Sequence, residues 1–165
     1  MSAIQKSARY MTVSDVMQRE VLAAEIDWSV EQLADFLVDN SISGAPVVST
    51  DDQLVGVVSL TDIVRQSRSQ EHGTGREDTH DVYLFDLDRQ LDADELRGLH
   101  IQYETPVQVR DIMTPMIFSV TEDTSVQEVA DTMLKGRIHR VFVTREGKLS
   151  GIVTSLDMLH VIRAG

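Results

Sequence analysis

Two short stretches hold the residue types whose spacing could do chemistry. Ser59 stands three residues before Asp62 in "GVVSLTDIV" (Gly56 to Val64), and Thr154 stands three before Asp157 in "GIVTSLDML" (Gly151 to Leu159). In each, a β-branched run ends at the hydroxyl and an apolar helical pattern begins beyond it, which puts the aspartate in a first helical turn. A helix start offers free N–H groups and the positive end of the helix dipole. An aspartate there adds acceptor oxygens suited to the paired hydroxyls of a ribose. The same spacing also describes a capping box with Asp in place of Glu or Gln, in which the carboxylate ties off backbone amides and no ligand is involved. The corners by themselves leave both readings open.

The elements that position these corners come twice. Asp111 in "VRDIM" lies 96 residues after Asp15 in "VSDVM", as Val126 does after Val30 and Ile138 after Ile42. The offset falls to 95 between Asp62 and Asp157, because "REGKLSG" is one residue shorter than "STDDQLVG". Matching order with one loop deletion identifies a tandem duplication. Each copy reads as a short extended stretch ("EVLAA" or "MIFSV"), a helix, two β-branched runs and a final helix. Val30, Leu33, Ala34, Leu37 and Val38 fall at helical spacing, as do Val126, Val129, Ala130, Met133 and Leu134. Ser29 with Gln32, and Ser125 with Glu128, offer capping boxes. The β-branched runs, joined by "TDDQ" and "EGK", predict hairpins. The last helices open at Leu60 and Ser155, with apolar positions at Ile63 and Val64, and at Met158, Leu159 and Ile162. The expected fold is α/β (α+β): two β-α-β-β-α repeats, residues 12–65 and 107–163, packed sheet against sheet about a pseudo-twofold axis.

Residues 66–106 have no counterpart in either copy. Between Gln66 and Val107 ten acids against four arginines give a charge of −6, half of the chain's −12. "SRSQEHGTGREDTHD" reads as a solvated loop and "LDADELRGL" as a short helix capped by Asp92. His72, His80 and His100 lie among these carboxylates, but their spacing fits no compact ligand set, so no metal site is expected. Met17 and Met113 are expected to fill core space, and Trp28 to pack on its neighbouring helix.

The chain is 165 residues, 42% hydrophobic and 25% charged, a composition that predicts an ordered globular protein. Its negative charge argues against a nucleic-acid partner, since phosphate backbones are met by clustered Lys and Arg. No apolar run reaches bilayer length and the first residues do not resemble a signal peptide, so a cytoplasmic protein without a membrane partner is expected. Cysteine is absent, which excludes disulfides and thiolate metal sites. No Ser-His-Asp order, Walker loop or Gly-x-Gly-x-x-Gly stretch occurs, and no enzymatic activity is expected.

"SDVM" and "RDIM", the β-branched pairs, and "GVVSLTDI" with "GIVTSLDM" together resemble the tandem CBS-domain pair, or Bateman module. The second copy, "RIHRVFVTREGKLSGIVTSLDML", is also similar to nucleotide-sensing repeats of the AMP-activated protein kinase gamma subunit. The resemblance implies a regulatory module that binds AMP, ADP, ATP or S-adenosylmethionine in clefts between the repeats and needs no cofactor. It assigns Asp62 and Asp157 to ribose, with Ser59 and Thr154 beside them, and gives Val21 and Ile117 an adenine slot. It puts His139 and Arg140 at the phosphate, where Arg140 supplies a permanently charged fork. Alternatively Arg140 pairs with a surface carboxylate and His139 packs beside its strand. The first copy has Ser43 and Gly44 at these places and no charge. The resemblance further implies a homodimer that signals to a separate effector protein. The competing expectation is a ligand-free structural or adaptor protein that dimerises and interacts through the acidic insert.

Overall fold

The β-branched runs of each copy close into hairpins. In chain order the elements of the computed structural model are α1 (Val13–Val16), β1 (Ala24–Glu25), α2 (Val30–Asp39), β2 (Gly44–Val48), β3 (Leu54–Ser59) and α3 (Leu60–His72). They continue with α4 (Val109–Ile112), β4 (Thr114–Pro115), β5 (Ser119–Thr121), α5 (Val126–Gly136), β6 (Arg140–Arg145), β7 (Lys148–Thr154) and α6 (Ser155–Ala164). The structure describes residues 11–72, 106–115 and 118–164. β2 pairs antiparallel with β3, and β6 with β7. The β6–β7 turn places Glu146 (φ 52°) and Gly147 (φ 79°) in the left-handed region, which a two-residue hairpin turn requires. β1 and β5 add parallel to β2 and β6, giving sheet orders β1-β2-β3-β4 and β5-β6-β7 in a mixed α/β fold.

The first helix of each hairpin layer starts as its cap residues dictate. The Ser29 hydroxyl accepts from the Gln32 N–H at 3.1 Å while the Gln32 side chain accepts from the Ser29 N–H at 2.9 Å. Ser125 accepts from the Glu128 N–H at 3.2 Å. Val30, Leu33 and Leu37 then face one core, and Val126, Val129 and Met133 the other. Leu134, expected on the buried side of α5, is exposed. Trp28 packs edge-on to Phe36 with ring centroids 5.1 Å apart, and Met17 joins a core while Met113 packs against the other.

Packing cuts the chain differently from the sequence repeat. Residues 11–21 join 118–164 in one compact unit, and residues 22–72 join 106–115 in the other. The opening segment of each copy thus sits in the unit built by the other copy's hairpin. α1 is held by Val13 N–H donating to Thr124 O (2.8 Å) and Val126 N–H donating to Met11 O (3.0 Å). α4 is held in the same way: Val109 N–H donates to Trp28 O (2.8 Å) and Val30 N–H to Val107 O (3.1 Å). Such bonds satisfy first-turn N–H donors of α1, α4, α2 and α5, which no helix can satisfy internally. Asp15 and Asp111 add local caps by accepting from the N–H of Thr12 (3.0 Å) and Gln108 (2.9 Å).

Two expectations need correction. α3 runs on through His72, so "SRSQEH" is helix and not loop. Nothing in that stretch breaks a helix before Gly73, and the Ser67 hydroxyl bonds back to Ile63 O at 3.1 Å instead of competing for another conformation. On α6 the buried position is Val161, whereas Leu159 and Ile162 are 59% and 74% exposed. The remainder of the acidic segment, with "LDADELRGL", His80 and His100, lies outside the described residues.

Candidate functional site

The two strand-to-helix corners are built by the same backbone arrangement. β7 ends at Thr154 and α6 starts at Ser155, whose N–H donates to His139 O at 2.9 Å. Across the ladder Thr154 stands opposite Arg140. The first copy repeats this: Leu60 N–H donates to Ser43 O at 2.9 Å, and Ser59 stands opposite Gly44. Directly opposed residues of an antiparallel pair project to the same face with close Cβ atoms. Thr154, Asp157, His139 and Arg140 therefore share one corner, and Ser59 and Asp62 share the other with the chargeless Ser43 and Gly44. Arg140 is half-buried and His139 exposed.

Both aspartates cap their helices. Asp157 Oδ2 accepts from the Thr154 N–H at 2.7 Å and from its hydroxyl at 2.9 Å. Asp62 Oδ2 accepts from the Ser59 N–H at 2.7 Å and from its hydroxyl at 3.1 Å. The capping alternative is thus realised at both corners. It occupies one oxygen of each carboxylate, and a carboxylate offers about four lone-pair positions over two oxygens. At Asp157 the other oxygen, Oδ1, accepts from Gln18 Nε2 at 3.2 Å.

Val21, half-buried, ends segment 11–21 and so falls in the unit of Thr154 and Asp157, not in that of Ser59 and Asp62. Ile117 lies outside the described residues. Gln18 is the residue that sequence reasoning missed. It is 139 positions from Asp157 and comes to it only through the exchanged segment, so no local pattern marked it. Among the described residues no group of three or more His, Cys, Asp or Glu is placed to hold a metal ion, and no helix is long and apolar enough to cross a membrane.

The family model for the CBS domain matches residues 13–69 and again 109–164. The chain belongs to the CBS domain family. It is a tandem CBS pair, and its solved neighbours have that same architecture. It is 28% identical to protein MJ1426 of Methanocaldococcus jannaschii over 92% of this chain and 91% of that one. It is 31% identical to the chloroplastic CBS domain-containing protein CBSX2 of Arabidopsis thaliana over 87% of this chain but only 60% of that longer one. Among solved structures, the CBS domain of a membrane protein from Sphaerobacter thermophilus superposes with a TM-score of 0.62 at 25% identity, covering 96% of this chain and 91% of that one. The structure of CBSX2 in complex with AMP gives 0.60 at 25% identity, covering 92% and 96%.

Proposed function

We propose that this CBS pair is a regulatory module that binds an adenosine-containing nucleotide at the Thr154–Asp157 corner and passes its occupancy to a separate partner protein. The observation that carries the reading is the register of Arg140 opposite Thr154, the residue whose N–H and hydroxyl donate to the Asp157 carboxylate. In this reading Asp157 accepts the ribose hydroxyls, Thr154 and the α6 N-terminus assist, and Arg140 with His139 holds phosphate. Val21 flanks the base. The AMP complex of CBSX2 supports this ligand class; ADP, ATP and S-adenosylmethionine share the ribose and adenine and remain within it. The Ser59–Asp62 corner offers the same sugar acceptor without Arg140's charge. It takes a nucleoside end more weakly. Binding shifts the module because the ligand favours one arrangement over another by its differential affinity.

The module pairs with a second copy through the face formed by α5 and α6. Leu134, Leu156, Leu159 and Ile162 are all exposed on these two contacting helices, an apolar patch of the kind that a self-complementary interface covers.

A specific observation favours a second reading, that of a ligand-free adaptor: at both corners the aspartate already serves as a cap. One measurement separates the two. Thermal unfolding is followed with AMP, ADP, ATP, S-adenosylmethionine and NAD, with and without Mg²⁺. A ligand at a hundred times its Kd adds about 2.7 kcal/mol of stability. The nucleotide reading requires a shift with at least one adenosine ligand that is lost in Asp157→Ala and, for a phosphate-bearing ligand, reduced in Arg140→Ala; the adaptor reading requires none.

A further inference from the structure

We infer that Gln18 sets the affinity of the second corner, by occupying the sugar-accepting oxygen of Asp157 until a ribose displaces it. The inference rests on the assignment of Asp157 to ribose and adds a competitor that the assignment does not contain.

Asp157 Oδ2 is filled by the N–H and hydroxyl of Thr154 at 2.7 and 2.9 Å. Gln18 Nε2 lies 3.2 Å from Oδ1 and 3.5 Å from Oδ2. A carboxylate has about two lone pairs per oxygen, so with the amide in place Oδ1 keeps one. A vicinal diol brings two O–H donors and needs both. The amide must therefore leave, or the sugar is held by one hydrogen bond instead of two.

The backbone of Gln18 is fixed where this competition occurs. Its N–H donates to Ile152 O at 2.9 Å and its carbonyl accepts from Ile152 N–H at 2.9 Å, an antiparallel bridge to the edge of β7. The side chain is exposed and can swing into water without moving that bridge. In the first copy the residue 96 positions after Gln18 is Thr114, paired with Val57 on β3 and carrying a hydroxyl where Gln18 carries an amide.

The test uses Gln18→Met, which keeps length and removes the donor, with Gln18→Ala as a second variant. Each is made with Asp157 intact and with Asp157→Ala. Adenosine and AMP are titrated calorimetrically, with 2′,3′-dideoxyadenosine as the ligand lacking the diol. Loss of one amide hydrogen bond predicts adenosine and AMP binding tighter by roughly three- to tenfold in both Gln18 variants, with no gain for the dideoxy nucleoside and none when Asp157 is alanine. The side-chain amide resonance of Gln18 in the wild type also moves on adding adenosine. Unchanged or weaker binding in the Gln18 variants, with binding still lost in Asp157→Ala, overturns the role of Gln18 and leaves the ribose assignment standing. Binding that is the same with and without the Asp157 carboxylate, or absent for every adenosine ligand, overturns the ribose assignment and this inference with it.

Discussion

Arg140 stands directly opposite Thr154 in the β6–β7 ladder, the register place that Gly44 takes opposite Ser59 in the first copy. Duplication kept the backbone of the corner and changed its charge. The ladder decides that Arg140 and not a neighbour flanks the helix start, because a one-residue slip would turn its side chain to the other face of the sheet.

Arg140→Ala should therefore separate phosphate from nucleoside. A charge-assisted hydrogen bond contributes about 1.5–3 kcal/mol, so AMP affinity is expected to fall by roughly ten- to a hundredfold. Adenosine, which carries no phosphate, should bind as it does to the wild type. Calorimetric titration of both ligands checks the difference, and equal losses for the two would remove Arg140 from the phosphate position.

The aspartates make two contributions that can be measured apart. Each caps a helix through its hydroxyl neighbour, and loss of such a cap costs about 1 kcal/mol. Asp62→Ala and Asp157→Ala should each lower the urea midpoint by a similar amount. Only Asp157→Ala should also abolish nucleotide binding at the charged corner. Asp62→Ala should leave that affinity within twofold of the wild type.

Much of this architecture could be read in the sequence because it is local. Ser29 and Gln32 lie one turn apart, the left-handed turn falls on Glu146 and Gly147, and both final helices open where the β-branched runs stop. The choice at each Asp corner was not legible, since capping and sugar binding ask for the same residue at the same spacing, and the structure shows that capping uses one oxygen only. Exchange of the opening segments was not legible either. Nothing within "SDVMQ" says whose hairpin it joins, and Gln18 was invisible for that reason. The exposed side of α6 misled the periodicity argument: an apolar helix with two apolar faces does not say which one meets its own core.

Arg137 closes α5 in the left-handed region, at φ 51° and ψ 40°, where a side chain other than glycine is strained. Arg137→Gly is expected to raise stability by about 1 kcal/mol, seen as a higher urea midpoint with unchanged slope. A fall instead would mean that the arginine side chain contributes more than its backbone costs.

The apolar face of α5 and α6 predicts an assembly. Leu159→Asp combined with Ile162→Asp introduces two charges where 59% and 74% of the side chains already meet solvent in the single chain, so folding should be retained. Buried at an interface, unpaired carboxylates cost several kcal/mol, enough to dissociate a dimer. Sedimentation velocity should show the wild type at twice the variant's mass; a wild type that sediments as a monomer at high micromolar concentration would rule the interface out.

Gly56 and Gly151, the residues that open the two matching stretches, are required by the exchanged segments. A Cβ at Gly151 would lie 2.6 Å from Met17 Sδ and 2.9 Å from Gln18 O, and one at Gly56 would lie 2.6 Å from Thr114 O and 3.0 Å from Met113 Sδ. The sulfur can yield, but each carbonyl is fixed in its bridge to the sheet edge, so the crossing segment must shift. Gly151→Ala and Gly56→Ala are each expected to cost about 1–3 kcal/mol by urea unfolding. Gly136→Ala is the control: its Cβ would meet only Ile138 side-chain carbons at 3.6 Å or beyond, ordinary contact on a helix, and should add about 0.5–1 kcal/mol. If all three substitutions behaved alike, the opening segments would not lie against these strands.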